Sequence, residues 1–202
     1  MAERFLQTLL TPSVLAKQSH YYGRQRAPLH APERDPLGED ERAFIAARDS
    51  FYLATVSENG WPYLQHRGGA PGFLRVVSPT RLAFADYKGN RQLLTTGNLA
   101  VNDRITLFLM DYPNRTRLKI IGHARIKDAK IHLEFFATLA DPEITRVVER
   151  FVFVEVVSFD WNCQQYITPR YTPEEIEALI APLKQRIADL EAGKKRNSQC
   201  AG

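Results

Sequence analysis

Three groups of polar residues lie between the strand-like apolar runs of this sequence and could bind an anionic or planar ligand. The first is Gln65-His66-Arg67-Gly68-Gly69, where a strand-like run ends in glycines. The second is Asp86-Tyr87-Lys88-Gly89-Asn90-Arg91, which leads from a strand end towards a helix start. The third is the basic set Arg115, Arg117 and Lys119, placed along the hydrophilic face of a strand.

The second group contains the parts of a phosphate cradle. A glycine turn before a helix N-terminus presents backbone N–H groups, and Lys88 and Arg91 can add charge-assisted hydrogen bonds. In the first group, Gly68 and Gly69 let a backbone approach a ligand closely. Each group also has a structural interpretation that the sequence leaves open: a sheet-corner bulge, an ordinary turn and a solvated strand face, respectively.

Reactive groups that belong to the chain itself are scarce. No serine or cysteine lies in a nucleophile motif, the five histidines lack metal-binding spacing, and no carboxylate pair indicates acid–base catalysis. Cys163 and Cys200 are too few for a zinc site or a disulfide framework. We therefore expect no metal, and a protein in which a bound cofactor performs the chemistry.

The net charge of +4 is concentrated in the middle of the chain, where residues 51–132 carry 12 basic and 5 acidic residues. This surplus indicates an anionic partner, either a phosphorylated small molecule or a nucleic acid. Nucleic-acid-binding barrels expose aromatic residues between basic ones. Here Phe51, Tyr52, Phe73 and Phe84 lie mainly in apolar runs, which are typical of a core. We expect no nucleic-acid partner.

The elements that must position these groups are mainly strands. Asn59-Gly60 separates two strand-like runs, which predicts a tight hairpin. Short strand-like runs spaced by turns favour an antiparallel barrel. The sequence has no G-x-G-x-x-G motif after a strand, which argues against a dinucleotide-binding fold. Short helices are expected near Arg4–Leu10, from Glu39, within 87–102 and from Asp141. The strand-like runs are 51–57, 61–67, 73–78, 81–86, 103–110, 116–126 and 151–159.

The C-terminal segment predicts an amphipathic helix. Thr172-Pro173-Glu174-Glu175 is a capping box with proline at the first helical position. Apolar residues then recur at spacings of 4, 3, 4 and 3, as in a heptad seam. Two heptads are too short for an independent coiled coil, so the helix must dock on its own chain or on a partner subunit. We favour a role in dimerisation for the seam residues Ile176, Ile180, Leu183, Ile187 and Leu190.

No apolar run approaches the roughly 20 residues that cross a bilayer. The first residues, MAERFLQTLLTPSV, lack the apolar core of a signal peptide. We expect a cytoplasmic protein with no membrane partner.

Residues 40–170 resemble the pyridoxamine 5′-phosphate oxidase-related, FMN-binding split-barrel proteins. The resemblance rests on FYLATVSENGWPYLQHRGGAPGFLRVV, LAFADYKGNRQLLTTGNL, VNDRITLFLM, RLKIIGHARI and FDWNCQQYITPRYT. It implies a mainly β fold with flanking helices: a six-stranded antiparallel Greek-key split barrel that forms a homodimer with FMN at the subunit interface. The chain then divides into an N-terminal arm (1–38), the FMN-binding barrel (39–170) and a C-terminal helix and tail (171–202).

The resemblance also implies roles for individual residues. One set would border the isoalloxazine ring and ribityl chain, a second would hold the phosphate with Asp86 nearby, and a third would approach from the other subunit. Arg117 falls where the family has a polar flavin contact. In order, the three sets are Gln65, His66, Arg67 and Gly68; Lys88, Asn90 and Arg91; and Trp161, Asn162 and Arg170.

Two departures from the family pattern bear on the substrate. True pyridoxamine-phosphate oxidases have an Arg-Lys pair at the phosphate turn, where this chain has Arg91-Gln92. They also end with an Arg-x-His-x-Arg substrate segment, where this chain has NCQQYITPR. A vitamin B6 phosphate is therefore not the expected substrate. We expect an FMN-dependent oxidoreductase acting on another small molecule. The alternative is a non-catalytic carrier of flavin, haem or deazaflavin on the same fold.

Overall fold

The structure, a computed structural model, describes residues 3–25, 30–141, 145–161 and 165–199. The chain forms two compact units. The sheet unit comprises Met1–Asp111 and Thr116–Gln164, and the tail unit comprises Tyr112–Arg115 and Gln165–Gly202. No helix in the described part of the chain is both long and apolar enough to cross a bilayer.

The sheet unit contains one antiparallel sheet, whose strand order is β2-β1-β5-β6-β7-β4-β3. The hairpins β1–β2 and β3–β4 flank the meander β5–β6–β7, because β1 pairs with β5 and β4 pairs with β7. The described strands are β1 (Ser50–Val56), β2 (Pro62–Gly68), β3 (Arg75–Ser78), β4 (Arg81–Tyr87), β5 (Arg104–Asp111), β6 (Thr116–Asp128) and β7 (Val148–Trp161).

The described sheet has seven strands, one in each of the seven strand-like runs of the sequence, so the number six implied by the family resemblance is wrong. The shortest strand is β3, which pairs with β4 alone and shifts register between Val76 and Ser78. Four residues at a sheet edge are enough for a strand because the pairing partner supplies its hydrogen bonds. The hairpin predicted at Asn59-Gly60 is confirmed, with Gly60 at a φ of +87° in the turn.

The sheet curls around its core. Strands β1 and β4 are four places apart in the sheet, which in a flat sheet would separate them by about 19 Å. The rings of Phe51 on β1 and Phe84 on β4 nevertheless lie 5.2 Å apart, edge to face. Both are 1% exposed, as is Leu74. The end strands β2 and β3 are not paired with each other among the described residues.

Six α-helices accompany the sheet in the described residues. The helix expected near Arg4–Leu10 is confirmed at Glu3–Leu9, but the N-terminal arm has a second helix that was not predicted. The second begins at the N-cap Thr11 with Pro12 in its first turn, and it ends at the left-handed Gly23. It contains no buried residue, so no apolar periodicity marked it in the sequence. The helices are α1 (Glu3–Leu9), α2 (Pro12–Tyr22), α3 (Glu39–Ala46), α4 (Leu94–Val101), α5 (Phe136–Leu139) and α6 (Pro173–Gln199).

Helix α6 confirms the predicted C-terminal helix and its capping box. The Thr172 backbone N–H donates to the Glu175 carboxylate at 2.8 Å, and the Glu175 N–H donates to the Thr172 hydroxyl at 3.2 Å. A helix was predicted to begin at Asp141-Pro142. Its first residues, 142–144, lie outside the described residues.

Candidate functional site

The first polar group divides between the two faces of β2. Successive side chains of a strand point to opposite faces, and the burial of β2 alternates accordingly. Gln65 and Arg67 line a cleft between β2 and the segment that leads into α4, whereas His66 and Gly68 do not line it. We call this the β2–α4 cleft; it is lined by Tyr63, Gln65, Arg67, Asp86, Tyr87, residues 89–96 and Arg150.

A buried carboxylate organises the cations of this cleft. Asp86 is 4% exposed, and each of its oxygens accepts a hydrogen bond from a different guanidinium. Arg67 Nη1 donates to one oxygen, and Arg150 Nε donates to the other at 2.7 Å. Asp86 and Arg150 are paired residues of β4 and β7, so the sheet register brings them together. The carboxylate is thus fully engaged while it fixes two arginines at the cleft.

The turn between β4 and α4 holds two non-glycine residues in the left-handed region. Arg91 has a φ of +60° and Leu93 a φ of +56°. Asn90 shapes the turn, since its side-chain oxygen accepts from the Gln92 backbone N–H at 3.1 Å. A left-handed L-residue costs about 1–2 kcal/mol, and such strain concentrates at ligand-binding segments. The strain marks this turn as a candidate binding segment.

Helix α4 is attached to the strands beside the cleft by two side-chain hydrogen bonds. Thr95 Oγ1 donates to Gln65 Oε1 at 2.9 Å, and Asn98 Nδ2 donates to Thr55 Oγ1 at 2.8 Å in a buried position. The N-terminal residues of α4 line the cleft. Since a helix N-terminus carries partial positive charge, α4 adds to the attraction for an anion.

The charge of the cleft suits a doubly charged anion. Its lining contains Arg67, Arg91, Arg150 and the single carboxylate Asp86, which gives a net charge of +2. Arg67 Nε is buried without a hydrogen-bond partner in the described residues. Arg91 is exposed and forms no ion pair within the described chain. The cavity volume of about 40 Å³ accommodates a phosphate-sized group and not a whole nucleotide.

Tyr87 lines the cleft and also packs against the hydrophobic cluster of Ala83, Ala85 and Phe151. Burial raises the pKa of Tyr87 above its ordinary value of 10.0, and the Asp141 carboxylate raises it further, while Arg75 acts in the opposite direction. The hydroxyl therefore keeps its proton at neutral pH and adds no negative charge beside the cleft.

A larger basic groove adjoins the cleft. It has a cavity volume of about 1060 Å³ and shares Arg91, Leu93, Thr96 and Arg150 with the cleft. Lys88 lines this groove and not the cleft. The predicted phosphate residues Lys88 and Arg91 therefore both reach the groove, and of these two only Arg91 also lines the cleft.

Other predicted site residues lie on the outer face of the sheet. The His66 ring contacts Tyr52 edge to face at 5.7 Å. Tyr52 pairs across the strands with both His66 and Phe108. The Arg117 guanidinium lies 6.0 Å from the centre of the Phe108 ring, and its buried Nε has no hydrogen-bond partner in the part of the chain that is described.

Two of the residues expected to approach from a second subunit, Trp161 and Arg170, make contacts within their own compact units. Trp161 Nε1 donates to Glu41 Oε1 at 2.6 Å, and its ring meets Phe44 edge to face, so Trp161 holds α3. Within the tail unit, the Arg170 guanidinium lies 5.0 Å from the ring centre of Tyr112. Asn162 lies outside the described residues.

Arg150 and Thr95 are cleft residues that the sequence interpretation missed. Arg150 directly precedes the apolar run 151–159 in the sequence, with no motif around it. Its role depends on strand pairing with Asp86, which is 64 positions away in the chain. Thr95 follows Leu93 and Leu94 in an apolar helix start. No local signal was available for either, because each gains its role from a long-range contact.

Comparison with known proteins gives one family and a set of solved structures. Residues 37–156 match the family described as Pyridoxamine 5'-phosphate oxidase. HupZ of Group A Streptococcus is 13% identical with a TM-score of 0.48, covering 62% of this chain and 99% of that one. A Lactobacillus delbrueckii structure described as a putative pyridoxamine 5'-phosphate oxidase is 19% identical, again with a TM-score of 0.48, over 62% and 94% of the two chains. An F420 reductase is 15% identical with a TM-score of 0.45, over 61% and 98%. No curated protein matches the sequence.

Proposed function

Because the chain belongs to the pyridoxamine 5'-phosphate oxidase family, we propose that it is a flavoprotein whose β2–α4 cleft holds the phosphate of FMN. Members of this family bind flavins, either FMN or F420. The observation that carries the proposal is the net charge of +2 in the cleft, with a buried Arg67 Nε that lacks a partner. A phosphate monoester carries about −1.5 to −2 at neutral pH, which matches that charge.

The proposal gives the cleft residues different tasks. Arg91 is the principal phosphate ligand because it forms no ion pair in the described chain and its backbone is held in a strained turn. Arg67 and Arg150 add positive charge from positions fixed by Asp86. Asn90 shapes the turn, and Lys88 reaches the anion from the adjoining groove. Gln65 keeps an amide nitrogen free of partners among the described residues, and this group can contact the rest of the flavin.

We further propose a homodimer with a flavin at each of two shared sites. The two faces of β2 support this arrangement. Gln65 and Arg67 serve the cleft of their own chain, whereas His66 and Arg117 lie on the outer face, where they can serve only a ligand held elsewhere. A partner's flavin is such a ligand. Contacts to the flavin were also expected from four further residues and stay predictions: Gly68, Trp161, Asn162 and Arg170.

We propose that the protein is an oxidoreductase acting on a small molecule. FMN, when bound, supplies the transfer of hydride or single electrons. The described cleft residues bind and orient it, and Tyr87 holds its proton on the phenolic oxygen. The cleft contains no histidine or cysteine among its lining residues, and its one carboxylate is engaged by two arginines. The same scarcity of acid–base groups favours a second candidate, a non-catalytic carrier of flavin, haem or deazaflavin.

The first experiment is FMN binding to the purified protein. The protein is stripped of bound ligand and titrated with FMN, while flavin absorbance and fluorescence are recorded. We expect saturation at one FMN per chain and a shifted flavin spectrum. A folded protein that gains no flavin absorbance after addition of FMN and gel filtration contradicts the proposal.

A second experiment separates an enzyme from a carrier. The FMN-loaded protein is mixed anaerobically with NADH or NADPH, and reoxidation by oxygen, quinones and aldehydes is then followed. Reduction and reoxidation at rates well above those of free FMN identify an oxidoreductase. Rates equal to those of free FMN, with the flavin still bound, identify a carrier.

A further inference from the structure

The long C-terminal helix carries an apolar stripe whose described side chains are largely exposed to solvent. Every described side chain of α6 from Glu174 to Ala192 is exposed, except that of Ile180, which is half-buried. The seam residues Ile176, Leu183, Ile187 and Leu190 are each between 46% and 64% exposed. A helix of 27 residues, about 40 Å long, gains most of its stability from packing of its apolar face.

The types of the seam residues distinguish between possible occupants. In heptad notation Ile180 and Ile187 take the a positions, and Leu183 and Leu190 take the d positions. β-Branched residues at a with leucine at d favour a parallel two-stranded coiled coil. Pro182 falls at a c position, away from the seam, so the backbone hydrogen bond that it removes is not on the apolar face.

The charges beside the seam also favour a parallel pair. Arg186 is at a g position and Glu191 at the e position five residues later, and neither forms an ion pair in the described chain. Residues five apart cannot meet on one helix, but the g and following e′ positions of two parallel helices lie side by side. In a parallel pair, the Arg186 of each copy therefore faces the Glu191 of the other copy, which gives two ion pairs.

An antiparallel pair of the same helices would place like charges together. In that arrangement e faces e′ and g faces g′ when the a and d layers are aligned. Glu177 would then face Glu191, and Lys184 and Arg186 would each face their own copies. Within one chain Lys184 is already bonded to Glu177 at 2.7 Å, which is compatible with the parallel pair.

We propose that α6 pairs in parallel with α6 of a second copy of this chain, through the seam Ile176–Leu190 and two Arg186–Glu191 ion pairs. The occupant of the exposed stripe is thus the same helix of another copy. Two identical helices related by a two-fold axis parallel to them satisfy this arrangement. The pairing surface uses only residues of the tail unit. Because two heptads are too short to pair alone, the inference rests on the homodimer proposed above, which keeps the two copies together, and not on the flavin site itself.

Disulfide cross-linking of the full chain tests the pairing and its direction. Leu183→Cys is placed in a background with Cys163→Ser and Cys200→Ser, and Ala188→Cys at an exposed b position is the matched control. Because identical d residues face each other in a parallel coil, we expect Leu183→Cys to cross-link at least about tenfold faster than Ala188→Cys under mild oxidation. Circular dichroism and a cooperative thermal unfolding transition establish that each variant is folded.

A mixing experiment tests the ion pairs. Arg186→Glu places two like-charged pairs in its own homodimer, and so does Glu191→Arg. A mixture of the two restores both opposite-charge pairs. With Leu183→Cys as the reporter, we expect each variant alone to cross-link several-fold more slowly than the parent, and the mixture to give heterodimer well above the half expected from random pairing.

Three results would overturn the proposal. The first is equal cross-linking of Leu183→Cys and Ala188→Cys, whether fast or absent. The second is cross-linking of Leu183→Cys only after mixing with Ile187→Cys, which identifies an antiparallel pair. The third is random pairing in the charge-swapped mixture. If Leu183→Cys fails to fold, Leu190→Cys replaces it at the next d position.

Discussion

Replacement of Arg91 by alanine should weaken FMN binding without weakening the fold. Arg91 is exposed, lines the β2–α4 cleft and forms no ion pair in the described chain, so its removal leaves no buried charge unpaired. Its φ of +60° is equally unfavourable for arginine and alanine. The free energy of unfolding without ligand should therefore change by less than about 0.5 kcal/mol.

The loss of affinity follows from the strength of the missing bonds. A hydrogen bond to a charged group contributes about 1.5–3 kcal/mol. Because each 1.4 kcal/mol is a factor of ten, the Kd for FMN should rise about 10- to 150-fold. If Arg91 donates two bonds to the phosphate, the increase should lie near the upper end of that range.

The assay is quenching of FMN fluorescence at equilibrium, at two salt concentrations. Arg125→Ala is the matched control, because it removes one exposed arginine from the adjoining groove and does not change the cleft lining. Salt screening should keep its effect below about threefold. A folded Arg91→Ala protein whose Kd is within threefold of that of the wild type would refute the assignment of Arg91 to the phosphate.

Three further predictions concern stability. Asp86→Ala should lower the free energy of unfolding by about 3–5 kcal/mol in chemical denaturation, because two arginines lose a buried partner, and inorganic phosphate should restore part of it. Gly122→Ala should prevent folding or lower the melting temperature sharply, because a Cβ there would lie 2.3 Å from the Glu155 carbonyl oxygen; Gly97→Ala, with open space around it, should not. Burial raises the pKa of Tyr87, so the neutral phenol stabilises the fold below about pH 10, and stability falls as pH rises through the folded-state value. Tyr87→Phe should reduce that alkaline loss in urea titrations, and an identical pH profile would contradict it.

The elements with local signals were predictable from the sequence. The Asn59-Gly60 turn and the Thr172 capping box are confirmed because each is a contact between residues close in the chain. Helix α2 was missed for the opposite reason, because it buries no side chain and so leaves no apolar periodicity in the sequence. The strand-like run 73–78 did predict β3, although only its last four residues form the strand.

The candidate site was predictable in composition and not in arrangement. The sequence interpretation selected Gln65, Arg67, Asp86, Asn90 and Arg91, and all five line one cleft. It grouped His66 and Gly68 with them, although the pleat of a strand sends neighbouring side chains to opposite faces. It also missed the arginine paired with Asp86 from β7, because that contact requires the register of two distant strands.

The most direct test of the central claim compares FMN with riboflavin, which differs only in lacking the phosphate. If the cleft of net charge +2 holds that phosphate, at least two charge-assisted hydrogen bonds are lost with it. At about 1.5 kcal/mol each, riboflavin should bind the wild-type protein at least about 100-fold more weakly than FMN. Equal dissociation constants for the two ligands would contradict the account.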